Sequence, residues 1–352
     1  MGSGKSSMST SRRSRREFGR VARGDGLGIG FTGAPYTVRE VVELAKLAEK
    51  EGFSSFWFAE DYFLRDAITN ISCVAYGTRN IQISTGIVNP FTRNPVLVAE
   101  TIATLNELSG GRVRLALGTG VRPLIESMGI GFRHPLAAMD EAVAIIRKLL
   151  EGKVVDYEGE IFKIKQVKLA QNPYFDLVET NLKVSAVPIY VAAIGPKMLE
   201  LAGRIGDGVL FTAGFSVWNV KQAVPMVRRG ARSSGKPVEA MKVGTYIASS
   251  LGEASKEIKG FLAFDVAYSR PENVIAAGIP EAKVAGIHDA VTKKGLLKAT
   301  ELVSDDIVDQ FAACGTKGEI QAKLEEFRKA GVSEPILLPM GTDAAELIRS
   351  VS

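Results

Sequence analysis

The sequence predicts an α/β fold, a (β/α)8 barrel with insertions after its fourth and seventh strands. Three observations carry this: eight short apolar runs bounded by turn residues, helical apolar stripes between them, and no phosphate-binding glycine fingerprint at the first turn. The runs are Leu27–Phe31, Ser55–Phe58, Ile81–Gly86, Val113–Leu117, Ile189–Ala193, Gly208–Phe211, Lys242–Ser249 and Glu334–Leu338. A doubly wound open sheet is the competing arrangement. It usually needs fewer strands, and the glycines of Leu27–Gly33 do not have its spacing.

The connecting segments read as helices. Val38, Val41, Val42, Ala45 and Ala48 form one stripe, stopped by Gly52. Val98, Ile102 and Leu105 form a second, stopped by Gly110-Gly111. A third runs from Leu136 to Leu150, opened by Pro135 and closed by Gly152. Two more are expected at Lys317–Ala330 and Ala344–Ser350. Residues 151–186 and 251–312 interrupt the alternation, the first with a hairpin pattern around Glu158-Gly159. Insertions this long in a barrel cover the mouth or build a subunit contact.

Bulk properties narrow the function. The chain has 352 residues, 46% hydrophobic and 24% charged, with its barrel domain expected over 25–352. It has no run of 18 apolar residues, so no membrane span is expected. Cys73 and Cys314 lie far apart in no metal or redox spacing, which points to a reducing, cytoplasmic setting. The net charge of +5 belongs to a tail: residues 1–24 hold seven basic side chains against Glu17, leaving the remainder at −1. That tail reads as disordered. The body has no basic field for nucleic acid. Gly2-Ser3-Gly4-Lys5-Ser6 lacks the preceding strand of a phosphate loop, and Ser11-Arg12-Arg13 lacks the apolar segment of an export signal.

Barrel active sites sit where strands end. After the second strand come Glu60 and Asp61, adjacent carboxylates whose repulsion and partial burial suit acid/base work; a surface pair balanced by Arg65 is the alternative. The third strand runs into Gly86-Ile87, followed by Pro90 and Pro95. Glycine there lets a flat ligand approach bare backbone, or simply kinks a barrel corner. After the fourth strand, Gly118-Thr119-Gly120-Val121-Arg122 offers main-chain N–H groups, a hydroxyl and a charge. After the fifth, Gly195-Pro196-Lys197 opens a helix whose N-terminus suits a phosphate, with simple capping as the alternative. His134 and His288 have no partners in metal-ligand spacing, so no metal is expected, and no Gly-x-Ser-x-Gly elbow occurs. A poor set of titratable groups beside phosphate donors suggests that an organic cofactor performs the reaction.

Taken together, Phe56–Asp66, Thr85–Pro95, Leu105–Arg112, Leu117–Gly120 and Val191–Gly203 followed by Gly206-Asp207-Gly208 resemble the bacterial-luciferase-like superfamily of flavin and deazaflavin oxidoreductases. The resemblance spans about residues 26–340. Gly86–Pro95 with Arg65-Asp66 is most similar to the branch that uses coenzyme F420, which contains methylenetetrahydromethanopterin reductase. The resemblance implies a non-proline cis peptide at Gly86–Ile87 backing the deazaflavin ring. It also implies cofactor contacts at Glu60, Asn89, Thr119, Gly120, Ile194, Gly195, Lys197 and Met198.

This chain departs from the family at three places. Glu60-Asp61 stands where the sugar-phosphate and alcohol dehydrogenases have Asp-His, Val121 where they have a catalytic glutamate, and Gly30 where the pterin reductase has a first-strand glutamate. The implied function is therefore hydride transfer between F420 and a small organic substrate, a C=N or C=C bond with a pterin as the nearest class. Glu60 or Asp61 would act on the ring or a proton, and Arg93 or Arg122 would hold an anionic tail. An FMN-dependent monooxygenase and a non-catalytic flavin-binding protein are the alternatives. A homodimer is the expected assembly by analogy.

Overall fold

Alternation along eight short strands sets the architecture. The computed structural model describes residues 26–172, 182–268 and 271–352; the basic tail and residues 173–181 of the first insertion lie outside the described residues. Its strands are β1 (Gly28–Phe31), β2 (Ser55–Phe58), β3 (Gln82–Thr85), β4 (Val113–Leu117), β5 (Val155–Glu158), β6 (Lys163–Val167), β7 (Ile189–Ala192), β8 (Gly208–Phe211), β9 (Lys242–Leu251), β10 (Ala313–Gly315) and β11 (Glu334–Pro339). Parallel pairing runs β9-β11-β1-β2-β3-β4-β7-β8 and returns to β9, which closes an eight-stranded barrel with helices between its strands. All eight strand expectations are met; β9 continues two residues past Ser249 because β10 pairs with its end, Ala313 opposite Ser249.

The pleat divides the core into two layers. Trp57, Ala116, Tyr190, Leu210, Tyr246, Ile336 and Leu338 meet inside the barrel. Their neighbours one residue along, such as Phe56, Phe58, Leu115, Leu117 and Val191, pack outward against the helices. Below the mouth, the barrel floor holds a buried ion pair. Arg114 donates to both Glu334 oxygens at 2.8 and 2.9 Å and to Ser84 Oγ at 3.0 Å. Its guanidinium lies 4.7 Å from the Trp57 ring centre. Ser55 donates to Glu334 and accepts from Trp57 Nε1.

Local chemistry explains the helices. Thr37 and Glu40 form a reciprocal capping box at the start of Val38–Lys50. Asn94 caps Pro95–Ser109, and Gly110, at φ 71°, ends it in the left-handed conformation glycine tolerates. Helix Pro135–Leu150 supports the first insertion: the buried Glu141 carboxylate accepts the N–H groups of Glu160, Ile161 and Phe162, which turn the β5–β6 hairpin at Gly159. The second insertion consists of helices Lys256–Tyr268, Pro271–Ala276, Glu281–Lys294, Leu296–Thr300 and Asp305–Phe311. It has its own core, which includes Ile258, Leu262, Ile287, Ile307 and Phe311.

Candidate active site at the barrel mouth

The loops that leave the C-terminal ends of the barrel strands enclose a cavity of about 890 Å³. The sequence-predicted residues converge on it from four strands. Glu60 and Asp61 follow β2, and Gly86 and Ile87 follow β3. Thr119 and Gly120 follow β4, and Ile194, Gly195, Lys197 and Met198 follow β7. The Gly86–Ile87 peptide is cis. Tyr246, from β9, donates its hydroxyl proton to the Gly86 carbonyl at 3.0 Å. Any Cβ at Gly86 would overlap that hydroxyl, and one at Gly30 would lie 2.5 Å from the Tyr246 ring. The absence of a side chain at both positions is therefore a packing requirement of one buried tyrosine. Gly120, at φ 73°, is constrained in the same way by the Tyr62 hydroxyl.

Helix Pro196–Ile205 presents its N-terminus to the same cavity. Gly195 caps it without a side-chain hydrogen bond, and the N–H groups of Lys197 and Met198 have no partner among the described residues, which suits an anion. Lys197 stands in that turn and has no ion-pair partner among the described residues. A phosphate-bearing group suits this corner, and Gly86, Ile87 and Gly118 bring main chain to the cavity wall where a flat group would lie.

The carboxylates differ in their partners. Glu60 Oε1 accepts from Arg93 Nε at 2.7 Å, whereas its Oε2 is buried and has no partner among the described residues. Burial raises the Glu60 carboxyl above its ordinary range, against the pull of Arg93. Asp61 is raised by burial too, opposed by hydrogen bonds from the Gly33 N–H and the Thr32 hydroxyl. Burial, with Glu60 close by, pushes the Tyr62 phenol up to about 12.

Three expected site residues stand outside the cavity lining. Arg93 is spent on carboxylates, bridging Glu60 and Asp66 with its second contact at 2.6 Å. It holds Glu60 in place and is not one of the residues that line the cavity. Arg122 pairs with Glu126 at 2.9 Å on the surface. Asn89 is fully buried: its Oδ1 accepts the N–H groups of Phe91 and Thr92, and its Nδ2 reaches Tyr62 Oη at 2.9 Å. It fixes Tyr62 and the loop after β3. Arg65 donates to the carbonyls of Gly33 and Ala34, so it is not the partner of Glu60.

The structure adds wall residues that sequence reading missed: Tyr62, Tyr246 and, from helix Lys256–Tyr268, Phe261, Phe264 and Asp265. Tyr62 follows Asp61 directly and could have been found beside it. The others have no local signal.

A closed barrel whose strand ends carry exposed backbone, a helix N-terminus and one lysine around a single cavity defines a site for a flat, anionic ligand. The sequence places it: the luciferase-like monooxygenase family model matches residues 20–334, and the chain belongs to that family. It is similar to 5,10-methylenetetrahydromethanopterin reductase of Methanolobus tindarius, 34% identical over 322 residues that cover 89% of this chain and 94% of that protein. Among solved structures, the coenzyme F420-dependent tetrahydromethanopterin reductase of Methanopyrus kandleri superposes with a TM-score of 0.80 at 27% identity, covering 93% of this chain and 96% of that one. An F420-dependent secondary alcohol dehydrogenase, solved with an F420–acetone adduct, follows at TM-score 0.73 and 25% identity, covering 92% and 96%.

Proposed function

We infer that this chain is an F420-dependent oxidoreductase that moves hydride between the deazaflavin and a small organic substrate, with a pterin-type C=N as the substrate class. One observation carries the reading: side-chain-free backbone at Gly86, the Thr119–Gly120 turn and the free helix end at Gly195–Met198 line one cavity, in a chain 34% identical to a pterin reductase. The bound coenzyme supplies the hydride chemistry.

The protein's residues bind and orient. Gly86 and Ile87 would back the ring, with Tyr246 fixing the Gly86 carbonyl. Thr119, Gly120, Ile194, Gly195, Lys197 and Met198 would hold the coenzyme's phosphate-bearing arm. Glu60, held by Arg93 through Oε1, would position the ring or carry a proton from the cavity wall, and Asp61 lines the same wall. The raised carboxyls of both residues favour the protonated form further toward neutrality than exposed carboxylates do. Asn89 supports this arrangement through Tyr62.

The same reading takes 25–352 as one catalytic domain. It takes the assembly as a homodimer, for which the exposed Tyr76, Leu97 and Leu108 on helices Ala67–Gly77 and Pro95–Ser109 supply apolar surface. The two free cysteines suit the cytoplasm. No helix among the described residues is long and apolar enough to cross a membrane. Fluorescence titration of the purified protein with F420, beside FMN, tests the function. Saturable F420 binding with turnover of an imine acceptor is expected. Oxygen consumption with reduced FMN and no F420 binding would replace this reading with a monooxygenase.

A further inference from the structure

Among the described carboxylates on the cavity wall, Asp265 alone has neither a hydrogen-bond partner nor an ion pair. It lines the cavity, yet its Oδ2 is buried with no hydrogen-bond partner, and no ion pair reaches it among the described residues. It arrives from the second insertion, on helix Lys256–Tyr268, and not from the strand ends that carry the cofactor candidates. Its carboxylate is seated against the backbone of Gly214, in the loop after β8; any Cβ at that position would overlap Oδ2. Position 214 therefore leaves room for this side chain. Phe261 and Phe264 line the cavity from the same helix, and the Phe264 ring centre lies 4.6 Å from that of Tyr268, tilted by 40°.

A buried carboxylate with no partner costs stability, and a site that keeps one is short of a donor that the ligand supplies. The geometry of the wall limits what that donor can be. Phe261 and Phe264 offer flat apolar faces and no acceptor. An ammonium group carries three N–H bonds and would leave some of them unpaired on such a wall. A planar ring with an N–H group on its edge lies along aromatic faces and points that donor at the carboxylate.

We propose that Asp265 is a specificity-determining residue for the substrate, accepting an N–H donor from the 2-amino-4-oxopyrimidine edge of a pterin-type ring held along Phe261 and Phe264. This rests on the reading of the cavity as the site where cofactor and substrate meet. It assigns the insertion wall to substrate and the strand-end loops to cofactor. The coenzyme's own binding therefore does not depend on Asp265.

The test uses the full chain loaded with F420 and titrated calorimetrically with two probes, tetrahydropterin and its 2-oxo counterpart, tetrahydrolumazine. Replacing the 2-amino group turns a donor into an acceptor that faces the carboxylate. The wild type is expected to prefer tetrahydropterin by about ten- to a hundredfold, the range for a hydrogen bond to a charged group. Asp265→Leu is expected to bring the two affinities within about twofold of each other while F420 affinity stays at the wild-type level. Asp265→Asn, which keeps the shape, is expected to lose most of the preference and covers a failure of the leucine variant to fold. Gly214→Ala, which displaces the carboxylate, shifts the preference the same way. An equal affinity of the wild type for both probes, a preference that survives in Asp265→Leu and Asp265→Asn, or a failure of F420-loaded wild type to bind tetrahydropterin each overturns the proposal. A wild type that does not bind F420 overturns the functional reading instead, and the two failures are thereby told apart.

Discussion

The floor and the mouth of this barrel both bury charge, and they treat it in opposite ways. At the floor, Arg114 and Glu334 meet through two hydrogen bonds, with Ser55, Ser84 and Trp57 around the same charges. At the mouth, Glu60 Oε2 and Asp265 Oδ2 are buried and bare. A fold gains nothing from an unpaired buried oxygen. The saturated pair is structural, whereas on the functional reading above the bare oxygens on the cavity wall would take their partners from a ligand. The difference separates two kinds of buried carboxylate that sequence alone would score alike.

The comparison breaks first at the floor. Glu334→Ala strands the Arg114 guanidinium where it has no water, and a loss of about 3–5 kcal/mol is expected in chemical denaturation. A loss below about 1 kcal/mol would show that solvent reaches the pair and that the floor is not the dry anchor described here.

At the mouth the sign reverses. Burial pushes the Asp265 carboxyl up to about 7, while in the unfolded chain it sits near the ordinary value of about 3.9. Between those values the folded protein binds more protons than the unfolded one, so this residue makes stability fall as pH rises through the window. The other ionisable groups on the cavity wall are Glu60, Asp61, Tyr62, Lys197 and Tyr246, and none pairs with it. Asp265→Asn should therefore be more stable than the wild type at pH 8, on the order of 1–3 kcal/mol, with the gain vanishing toward pH 4. Melting curves of both proteins across that range check it; parallel curves refute it.

Gly86→Ala sharpens the boundary between the two regions, because its Cβ would overlap the Tyr246 hydroxyl that links barrel interior to mouth. A loss of about 1–3 kcal/mol together with weakened F420 binding is expected by thermal melting and fluorescence titration. Lys197→Ala has the smallest effect on the fold, since the side chain is exposed and unpaired among the described residues. Its melting temperature should stay at the wild-type value while F420 affinity falls about tenfold.

Much of this was legible from pattern. Strand and helix periods are local properties of the chain, so eight apolar runs and their stripes were enough to place the barrel, and glycines and a proline at strand ends marked most of the cavity wall. Residue roles were less legible. Arg93 and Arg122 looked like free cations, but each has carboxylates within reach of its fork, at Glu60 and Asp66 and at Glu126. Asn89 looked like a cofactor contact and closes its own turn instead.

By itself the sequence determined the barrel class, the order of its units and the loops that reach the mouth, because each depends on spacing over a few residues. Only the tertiary structure decided which charges end up paired. Arg114 finds Glu334 220 positions away, Tyr246 reaches Gly86 from 160 positions away, and Asp265 enters the cavity from an insertion whose sequence shows no site pattern. Closing the barrel brings distant strands within hydrogen-bond range, and no local period encodes which side chains then meet or which are left without a partner.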